Sequence, residues 1–385
     1  MPASDPSQTA SPAAREALRL SLVDNVGPIL FGRLVEHFGS VEGVLGASAA
    51  ELRRVEGIGP RLAEGIARGR GTVDVDAEIA AAAEAGVRII SLDDAEYPAA
   101  LKHIPDPPIC LYVRGTLEPA DAVSLAIVGT RRASHYGAEQ ARRFATLAAQ
   151  AGMVIVSGLA RGIDTAAHVG ALEIGGRTLA VIGCGLCHVY PPQNAELARR
   201  IAEHGAVISS LPMHVAPESK NFPPRNRIIA GLTLGTLVVE GALRSGAMIT
   251  ARLANEYNRE VFALPGRVDQ TNSQGPHALI REGQAKLVSC LADILDELGN
   301  VGEMLAEDAA GVAPESAGRP AAPGQLSDTE QAVLEVLGVE GMPIEAVCEF
   351  SGRGAAEVAG ALTMLQLKGL VRRLPEGLFV SHERA

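Results

Sequence analysis

Tryptophan is absent from this chain of 385 residues, and aromatic residues make up only 3% of it. A buried core must therefore be built mainly from Ala, Val, Leu and Ile, which is feasible because hydrophobic residues account for 47% of the sequence. No apolar run reaches about 18 residues, which argues against a membrane-spanning helix. Five scattered cysteines fit a reducing cytoplasm better than a disulfide framework. The first residues lack the basic and then apolar pattern of a secretion signal, so we expect a cytoplasmic protein.

Excess positive charge is also missing, because 34 Lys and Arg stand against 45 Asp and Glu, for a net charge of −11. Such a charge argues against a general polyanion binder, since most of the surface would repel phosphates. If nucleic acid is the ligand, the cations must be concentrated at one place on an otherwise acidic surface.

A repeated motif lies near the N-terminus, where Val26-Gly27-Pro28 and Ile58-Gly59-Pro60 each separate two apolar helical stretches. This arrangement predicts a paired helix-hairpin-helix, or SAM-like, module. Such hairpins can direct backbone N–H groups at a phosphate without any charged side chain. A small helical packing module explains the same pattern equally well.

Short apolar segments alternate with helical segments from Ser124 to Leu298. This pattern predicts an extended Rossmann-like, doubly wound and mostly parallel sheet that is buried on both faces. The predicted strands are Leu125–Val128, Val154–Ser157, Leu179–Ile182, Val207–Ser209, Thr236–Val239, Val261–Leu264 and Lys286–Val288. The predicted helices are Ala138–Ala151, Thr165–Ile174, Ala195–Glu203, Arg227–Leu232, Ala247–Tyr257 and His277–Glu282. Ligands of such sheets bind beyond the carboxyl ends of the strands, so the loops there form the candidate site.

A segment rich in Ala, Pro and Gly, Gly311–Gln325, predicts a linker before a compact C-terminal region. Ser327 and Glu330 form a capping box for the first of three predicted helices. These helices and a hairpin around Pro375-Glu376-Gly377 predict a winged helix; they span Asp328–Leu337, Pro343–Phe350 and Ala355–Lys368, and the hairpin strands span Leu370–Leu374 and Leu378–Val380. The predicted domains are a tail (1–15), the helical module (16–72), the Rossmann domain (73–300), the linker (301–325) and the winged helix (326–385).

The loop after the first predicted strand has the composition of a phosphate-binding loop. Gly129 allows a sharp turn, and the helix that follows presents free N–H groups. Thr130, Arg131 and Ser134 are the candidate ligands of a phosphate, because a guanidinium can bind it through two hydrogen bonds. Helix capping by the two hydroxyls, with solvated arginines, is an equally good interpretation.

The loop after the second predicted strand supplies a further candidate anion site. Ser157, Gly158 and Arg161 lie in a strand-to-helix connection with two glycines, a composition typical of an anion-binding nest. We interpret Asp164 as a helix N-cap and His168 as a packed, hydrogen-bonded histidine, because neither has a catalytic partner in the pattern.

The third loop carries Cys184 and Cys187, but no second cysteine pair lies near them, and the prolines that follow oppose a redox-active helix start. The sequence also lacks the nucleotide-binding loop Gly-x4-Gly-Lys-Ser/Thr. We therefore expect neither a metal nor a cofactor.

The densest cationic stretch is Lys220–Arg227, here called the basic segment, which has three positive charges and no acid. We place it on a loop, where Phe222 can stack on an unpaired base while its basic neighbours bind phosphates. Its candidate DNA contacts are Lys220, Asn221, Phe222, Arg225 and Asn226. Alternatively, Phe222 anchors the loop in the core, and Arg225 or Arg227 pairs with Glu240.

Two later loops complete the candidate site. Ser245 and Gly246 precede a predicted helix and favour an anion at its start. Glu240, at the end of a strand, is the one carboxylate suited to acid–base chemistry or ribose binding, and it could equally orient an arginine.

Taken in order, these loops resemble the DNA-processing protein A family (DprA, also called Smf). The matching stretches are Ile127–Arg131, Tyr136-Gly137, Ser157–Asp164, Ala167-His168, Tyr190-Pro191, Asn194, Phe222–Gly231, Ser245-Gly246, Thr250-Ala251 and Pro265-Gly266. Upstream, Tyr97-Pro98, Pro108 and Leu111-Tyr112 extend the resemblance, which covers residues 85 to 295 closely and the terminal modules more loosely.

The resemblance implies a non-enzymatic protein of natural transformation that binds single-stranded DNA, usually as a homodimer. It further implies protection of incoming strands, loading of the RecA recombinase onto them, and homologous recombination. By position, Arg131, Lys220, Phe222 and Arg225 would contact DNA, while Gly129, Ser157 and Gly158 would supply backbone and hydroxyl donors.

The alternative is a nucleotide-binding hydrolase, similar to the phosphoribohydrolases of the lysine-decarboxylase-like Rossmann group. Glu240 and Arg131 would then be the catalytic pair. That class carries a Pro-Gly-Gly-x-Gly-Thr phosphate loop, and Ala230–Thr236 matches this motif only faintly.

Overall fold

The computed structural model describes residues 9–299, 301, 304–305, 326–338, 341–367, 370–374 and 378–381. The chain divides into two compact units, Met1–Gly311 and Val312–Ala385. Most of the predicted linker and the first eight residues of the predicted tail lie outside the described residues. Order begins before the predicted boundary at residue 16, because a helix spans Pro12–Ser21 and Ala14 in it is fully buried.

A nine-stranded sheet forms the centre of the first unit. Its strands are β1 (Arg88–Ser91), β2 (Cys110–Gly115), β3 (Ser124–Val128), β4 (Val154–Ser157), β5 (Thr178–Val181), β6 (Gly205–Ser209), β7 (Gly235–Val238), β8 (Glu260–Ala263) and β9 (Lys286–Leu287). They pair in the order β1-β2-β6-β5-β4-β3-β7-β8-β9. Strands β3 to β9 are parallel, whereas β1 and β2 add an antiparallel edge.

The predicted doubly wound sheet is confirmed, and each predicted strand lies within two residues of the observed one. Strands β3 to β7 are buried along their whole length, as expected for parallel strands covered on both faces. The strand order reverses at β3, which has β4 on one side and β7 on the other. The carboxyl ends of these strands are therefore where a ligand is expected.

Helices cover both faces of the sheet. Those of the sheet region span Ala99–Lys102, His135–Gln150, Ile163–Glu173, Ala195–His204, Phe222–Leu232, Gly246–Glu256, Gln274–Arg281 and Leu291–Glu297. One prediction was wrong here: the basic segment is not a loop, because the helix predicted from Arg227 already begins at Phe222. Pro223 and Pro224 occupy its first turn, where the missing N–H groups have no intrahelical partner in any case.

The N-terminal helices pack directly on the sheet region. They span Pro12–Ser21, Pro28–Phe38, Val41–Gly46, Ala49–Leu52, Pro60–Thr72 and Val75–Glu84. Gly27 and Gly59 stand at the starts of two helices, and no side chain caps either start. Buried residues of these helices, such as Leu34, share one apolar cluster with Ile182 and Ile201 of the sheet region. Helices and sheet therefore have a common core.

The second unit contains the helices Asp328–Val336, Ile344–Ser351 and Ala355–Leu367 with a three-stranded sheet. The strands are β10 (Met342–Pro343), β11 (Val371–Arg373) and β12 (Leu378–Ser381), and β12 lies between the other two. The capping box of Ser327 and Glu330 is present. Three helices and this small sheet confirm the predicted winged helix, although Pro375-Glu376-Gly377 lies outside the described residues. Within the described ranges, no helix is both long and apolar enough to cross a membrane.

Candidate nucleic-acid interface

Loops at the carboxyl ends of β3, β4 and β7 surround a cavity of about 390 Å³ together with the start of the helix Phe222–Leu232. The cavity is lined by Val128, Gly129, Thr130, Arg131, Ala160, Asp164, Ser219, Phe222, Pro223, Arg225, Asn226, Ile229, Ser245, Gly246, Ala247, Ile249 and Thr250. Eight of the predicted site residues thus line one cavity.

The aromatic ring of Phe222 lies among two cations and a second ring. The guanidinium carbon of Arg131 is 5.0 Å from the ring centroid, and that of Arg225 is 5.9 Å away. The ring of Tyr190, from the loop after β5, has its centroid 5.7 Å from that of Phe222. Phe222 is only half-buried, so the prediction that its ring reaches the surface is compatible with its position.

Arg225 points inward and fastens two strands together. Its Nη1 atom donates to the carbonyl of Gly158 at 2.7 Å and to that of Val181, the last residue of β5. Its Nε atom donates to Asn226, whose amide donates to the carbonyl of Gly246 at 3.2 Å. Burial lowers the pKa of Arg225 to about 10, so the guanidinium stays charged at neutral pH.

Asp164 is not the predicted N-cap, because Gly162 holds that position and Asp164 lies one residue inside the helix. Its Oδ2 atom accepts hydrogen bonds from the backbone N–H groups of Gly158 and Ala160. Burial raises the pKa of Asp164, and the charge of Arg225 and the two backbone donors oppose that rise. The carboxylate of Asp164 therefore links the start of this helix to the backbone of the loop after β4.

Glu240 occupies the helix start that follows β3. Its carboxylate accepts hydrogen bonds from the backbone N–H and the hydroxyl of Ser134, and its carbonyl accepts one from the N–H of Thr130 at 2.8 Å. Ser134 also caps the helix by accepting from Gly137. The considered pairing of Glu240 with Arg225 or Arg227 is wrong: Arg225 binds carbonyls, and Arg227 forms an ion pair with Asp106.

Exposed cations on the elements around the cavity include Lys220, Arg131 and Arg161. Lys220 has 75% of its side chain exposed and forms an ion pair with Glu218 at 2.8 Å. Arg131 is exposed, and so is Arg161, whose Nη2 atom donates to Gln193 at 3.1 Å. An exposed ion pair such as Lys220–Glu218 contributes little free energy, so a phosphate can replace the carboxylate.

The other predicted site residues differ in depth. Ser157 is fully buried, and its hydroxyl donates to the carbonyl of Ile127. Among the described residues, the buried amide nitrogen of Asn221 and the buried hydroxyl of Ser245 have no hydrogen-bond partner. No side chain caps the helix that starts at Gly246, so its first N–H groups face the cavity as a potential anion site.

Comparison with known proteins identifies the family of the chain. The sequence profile of DNA recombination-mediator protein A matches residues 88–299, and that of the DprA winged helix domain matches residues 317–377. The chain belongs to the DprA family. All predicted DNA-binding residues of this DprA-family chain fall inside the first match.

Individual DprA-family relatives cover most of the chain. Protein Smf of Synechocystis sp. is 39% identical over 74% of this chain and 72% of its own length. Protein Smf of Escherichia coli is 41% identical over 75% of this chain and 76% of its own length. The X-ray structure of DNA processing protein A from Streptococcus pneumoniae superposes with a TM-score of 0.65 and 34% identity, and covers 74% of this chain and 97% of its own.

The sequence analysis missed the contribution of Tyr190. Tyr190 entered the sequence analysis only through the Tyr190-Pro191 match to the family and was not placed in the candidate site. The structure brings its ring next to Phe222, which lies 32 residues further along the chain. A polar aromatic residue on a loop after a strand was the available signal, but its partner could not be known.

Proposed function

We propose that this DprA-family protein binds single-stranded DNA at the carboxyl edge of its sheet. The observation that carries the proposal is the half-buried ring of Phe222 beside exposed Arg131 and Lys220, on a chain with a net charge of −11. Aromatic stacking accepts any base, and local cations bind the phosphates that the acidic remainder of the surface repels. Duplex DNA hides its base faces and cannot use the aromatic part of the site.

The proposed contacts are of two kinds. Arg131, Arg161 and Lys220 bind phosphates through their exposed charges, whereas Gly129, Thr130, Asn221, Ser245 and Gly246 supply polar groups of the loops and helix starts. Ser134, predicted as a direct contact, acts instead through its hydrogen bonds to Glu240. Ser157, Gly158, Arg225 and Asn226 act mainly by holding the β4 and β5 loops in place. Their buried hydrogen bonds support this division.

We further propose the physiological role that family membership suggests. The protein acts in natural transformation as a cytoplasmic homodimer, protects incoming single strands and loads RecA onto them for recombination. A rim that contacts backbone and bases without reading sequence suits that task, because incoming DNA has no fixed sequence.

We propose that the site has no catalytic activity. The hydrolase alternative needs Glu240 as an acid–base group, but this carboxylate is 6% exposed, binds Ser134 and does not line the cavity. Release of free base from a nucleoside monophosphate by the purified protein would support the alternative.

The test is a titration of labelled oligo-dT and of duplex DNA at several salt concentrations. We expect oligo-dT to bind more tightly, with an affinity that falls steeply with salt. Arg131→Ala and Lys220→Ala should each flatten the salt dependence, by about 0.7 in the logarithmic slope for each phosphate that is no longer neutralised. Phe222→Ala should cost about 1–3 kcal/mol of binding and keep the slope, because stacking involves no net charge.

Lys102→Ala is the matched control. This exposed lysine lies on the short helix that packs against the far end of the helix Phe222–Leu232, where Leu101 contacts Gly231. It should bind like the unchanged protein. If all four variants bound oligo-dT with the affinity of the unchanged protein, the site would lie elsewhere. Tighter binding of duplex DNA than of oligo-dT would contradict a site for single strands.

A further inference from the structure

Tyr190 presents an exposed aromatic surface next to the proposed DNA site. The residue is 40% exposed, and its ring centroid lies 5.7 Å from that of Phe222 with the two planes tilted by 43°. A tyrosine can stack as Phe does while its hydroxyl remains in water. The folded chain covers the apolar face of this ring only in part.

The loop that carries Tyr190 is held firmly on both sides. The amide of Asn194 donates to the carbonyl of Leu159 and to the hydroxyl of Thr165, both at 2.9 Å. Earlier in the loop, the N–H of Gly185 donates to Val215 at 2.8 Å. The ring is therefore presented from a fixed backbone, and little entropy remains to be lost when a ligand stacks on it.

Phe222, by contrast, has much of its ring covered by the protein itself. The guanidinium carbons of Arg131 and Arg225 lie 5.0 and 5.9 Å from its centroid. The loop after β5 closes a further side, since a Cβ atom on Gly183 would come within 2.9 Å of the Phe222 ring. The accessible aromatic surface of this pair is thus found largely on Tyr190.

Two exposed guanidinium groups lie on loops that contact the neighbours of Tyr190. Arg161 of the β4 loop donates to Gln193, three residues after Tyr190, and Arg131 lies over Phe222. A base stacked on Tyr190 would therefore have exposed guanidinium groups on the adjoining loops for its phosphates, the combination of rings and cations that single-strand sites use.

We propose that Tyr190 is a second base-stacking residue, on which one base of the bound strand lies while Arg131 and Arg161 bind the adjoining phosphates. This proposal rests on the proposed function and extends the site onto the loop after β5. Stacking uses the ring and not the hydroxyl, so Tyr190→Phe should bind oligo-dT like the unchanged protein. Tyr190→Ala should lose roughly 5- to 150-fold in affinity, with an unchanged salt slope.

The absence of tryptophan allows a direct test. Tyr190→Trp introduces the only indole of the chain, and a base stacked on it should quench its emission. Tyr257→Trp is the matched control, because Tyr257 follows the last residue of the helix Gly246–Glu256. The helix starts at the candidate site, so Tyr257 lies at the end that points away from it. Oligo-dT should quench Tyr190→Trp and leave Tyr257→Trp unchanged, whereas an abasic strand of equal length should quench neither.

The outcomes separate this proposal from the proposed function. Failure of the unchanged protein to bind oligo-dT would overturn both. Salt-dependent binding with full affinity in Tyr190→Ala would overturn only the stacking role. Equal quenching of Tyr190→Trp by oligo-dT and by the abasic strand would also overturn it, because the signal would then report a charge or a rearrangement and not a base.

Discussion

At the residue scale, the candidate site contains its own counter-ions. Glu240 places a carboxylate at the start of the helix His135–Gln150, where the helix dipole and the free N–H groups favour negative charge. The anion site that the sequence predicted there is therefore filled by the protein itself. The phosphates of the proposed DNA ligand are left with the exposed side chains of Arg131, Arg161 and Lys220 and with the uncapped helix start at Gly246.

His168 gives stability a dependence on pH. Its Nδ1–H donates to Thr178 at 2.8 Å, because the Thr178 hydroxyl itself donates to Ile155. Burial, with a contribution from the charge of Arg225, lowers the pKa of His168 from 6.5 to about 3. Between these values the unfolded chain binds a proton that the folded chain excludes, so stability is lost as the pH falls from 6.5 towards 3.

We expect His168→Leu to weaken this loss, because leucine fills a similar volume and takes up no proton. The measurement is the free energy of unfolding in urea at several pH values from 7 to 4, compared with the unchanged protein. His204→Leu, at an exposed position, should retain the original pH dependence. Parallel pH curves for His168→Leu and the unchanged protein would contradict the assignment.

Residue types and their approximate place were predictable from the sequence, but their partners were not. The sequence predicted that Arg131 and Lys220 stand at the carboxyl edge, where the structure has them. It could not show that Arg225 turns inward to carbonyls 44 and 67 residues away, or that Glu240 binds Ser134 across 106 residues. Such pairings depend on strand order, which a single sequence does not contain.

At the scale of elements, two loops are interlocked at one glycine. Gly162 has a φ of +78°, and a Cβ atom there would lie 2.3 Å from the carbonyl oxygen of Thr130. That carbonyl accepts the N–H of Ile163 at 3.2 Å. The loop after β4 therefore packs on the loop after β3 without room for a side chain.

Gly162→Ala should consequently destabilise the protein and weaken oligo-dT binding together. The unfavourable backbone conformation costs about 1–3 kcal/mol, and the close contact adds to this cost. Urea denaturation and the oligo-dT titration measure the two effects. Gly175→Ala is the control, because Gly175 also has a positive φ, of +69°, but open space around it. We expect a smaller loss of stability and normal binding there; equal effects of the two substitutions would refute the interlocking of the loops.

Elements were predictable where one physical signal dominated. The parallel strands are continuous apolar runs, and they were placed within two residues. The start of the helix Phe222–Leu232 was misplaced because the basic segment was taken for a loop, although its two prolines fit the first turn of a helix. The antiparallel strands β1 and β2 were not predicted, since no regular alternation of strands and helices surrounds them.

At the scale of the whole molecule, the N-terminal helices and the sheet region share one core, so we expect them to unfold together. Leu18, Leu34 and Ile66 are fully buried in the cluster that also contains Ile182 and Ile201. The domain boundary predicted at residue 73 stays a prediction. The apolar cluster extends across this position, so the boundary does not separate two cores. The C-terminal unit has an apolar cluster of its own.

Fragments of the chain should behave accordingly. A fragment of residues 1–311 should fold and bind oligo-dT with the affinity and salt slope of the whole chain, since every proposed contact lies within it. A fragment of residues 73–311 should unfold or aggregate, because it exposes the apolar cluster that the N-terminal helices cover. Thermal melts followed by circular dichroism, with the oligo-dT titration, measure both. Loss of binding in the 1–311 fragment would assign part of the site to the second unit.

Arg225 also constrains the dimensions of the candidate site. A single guanidinium ties the carbonyl of Gly158 to the carbonyl end of β5, and neighbouring strands of a sheet stand about 4.8 Å apart. The loops that rise from these strands therefore cannot move independently. If single-stranded DNA binds at this site as proposed, we expect the sheet geometry to fix the length of strand that each protein molecule covers, whatever the sequence of the strand.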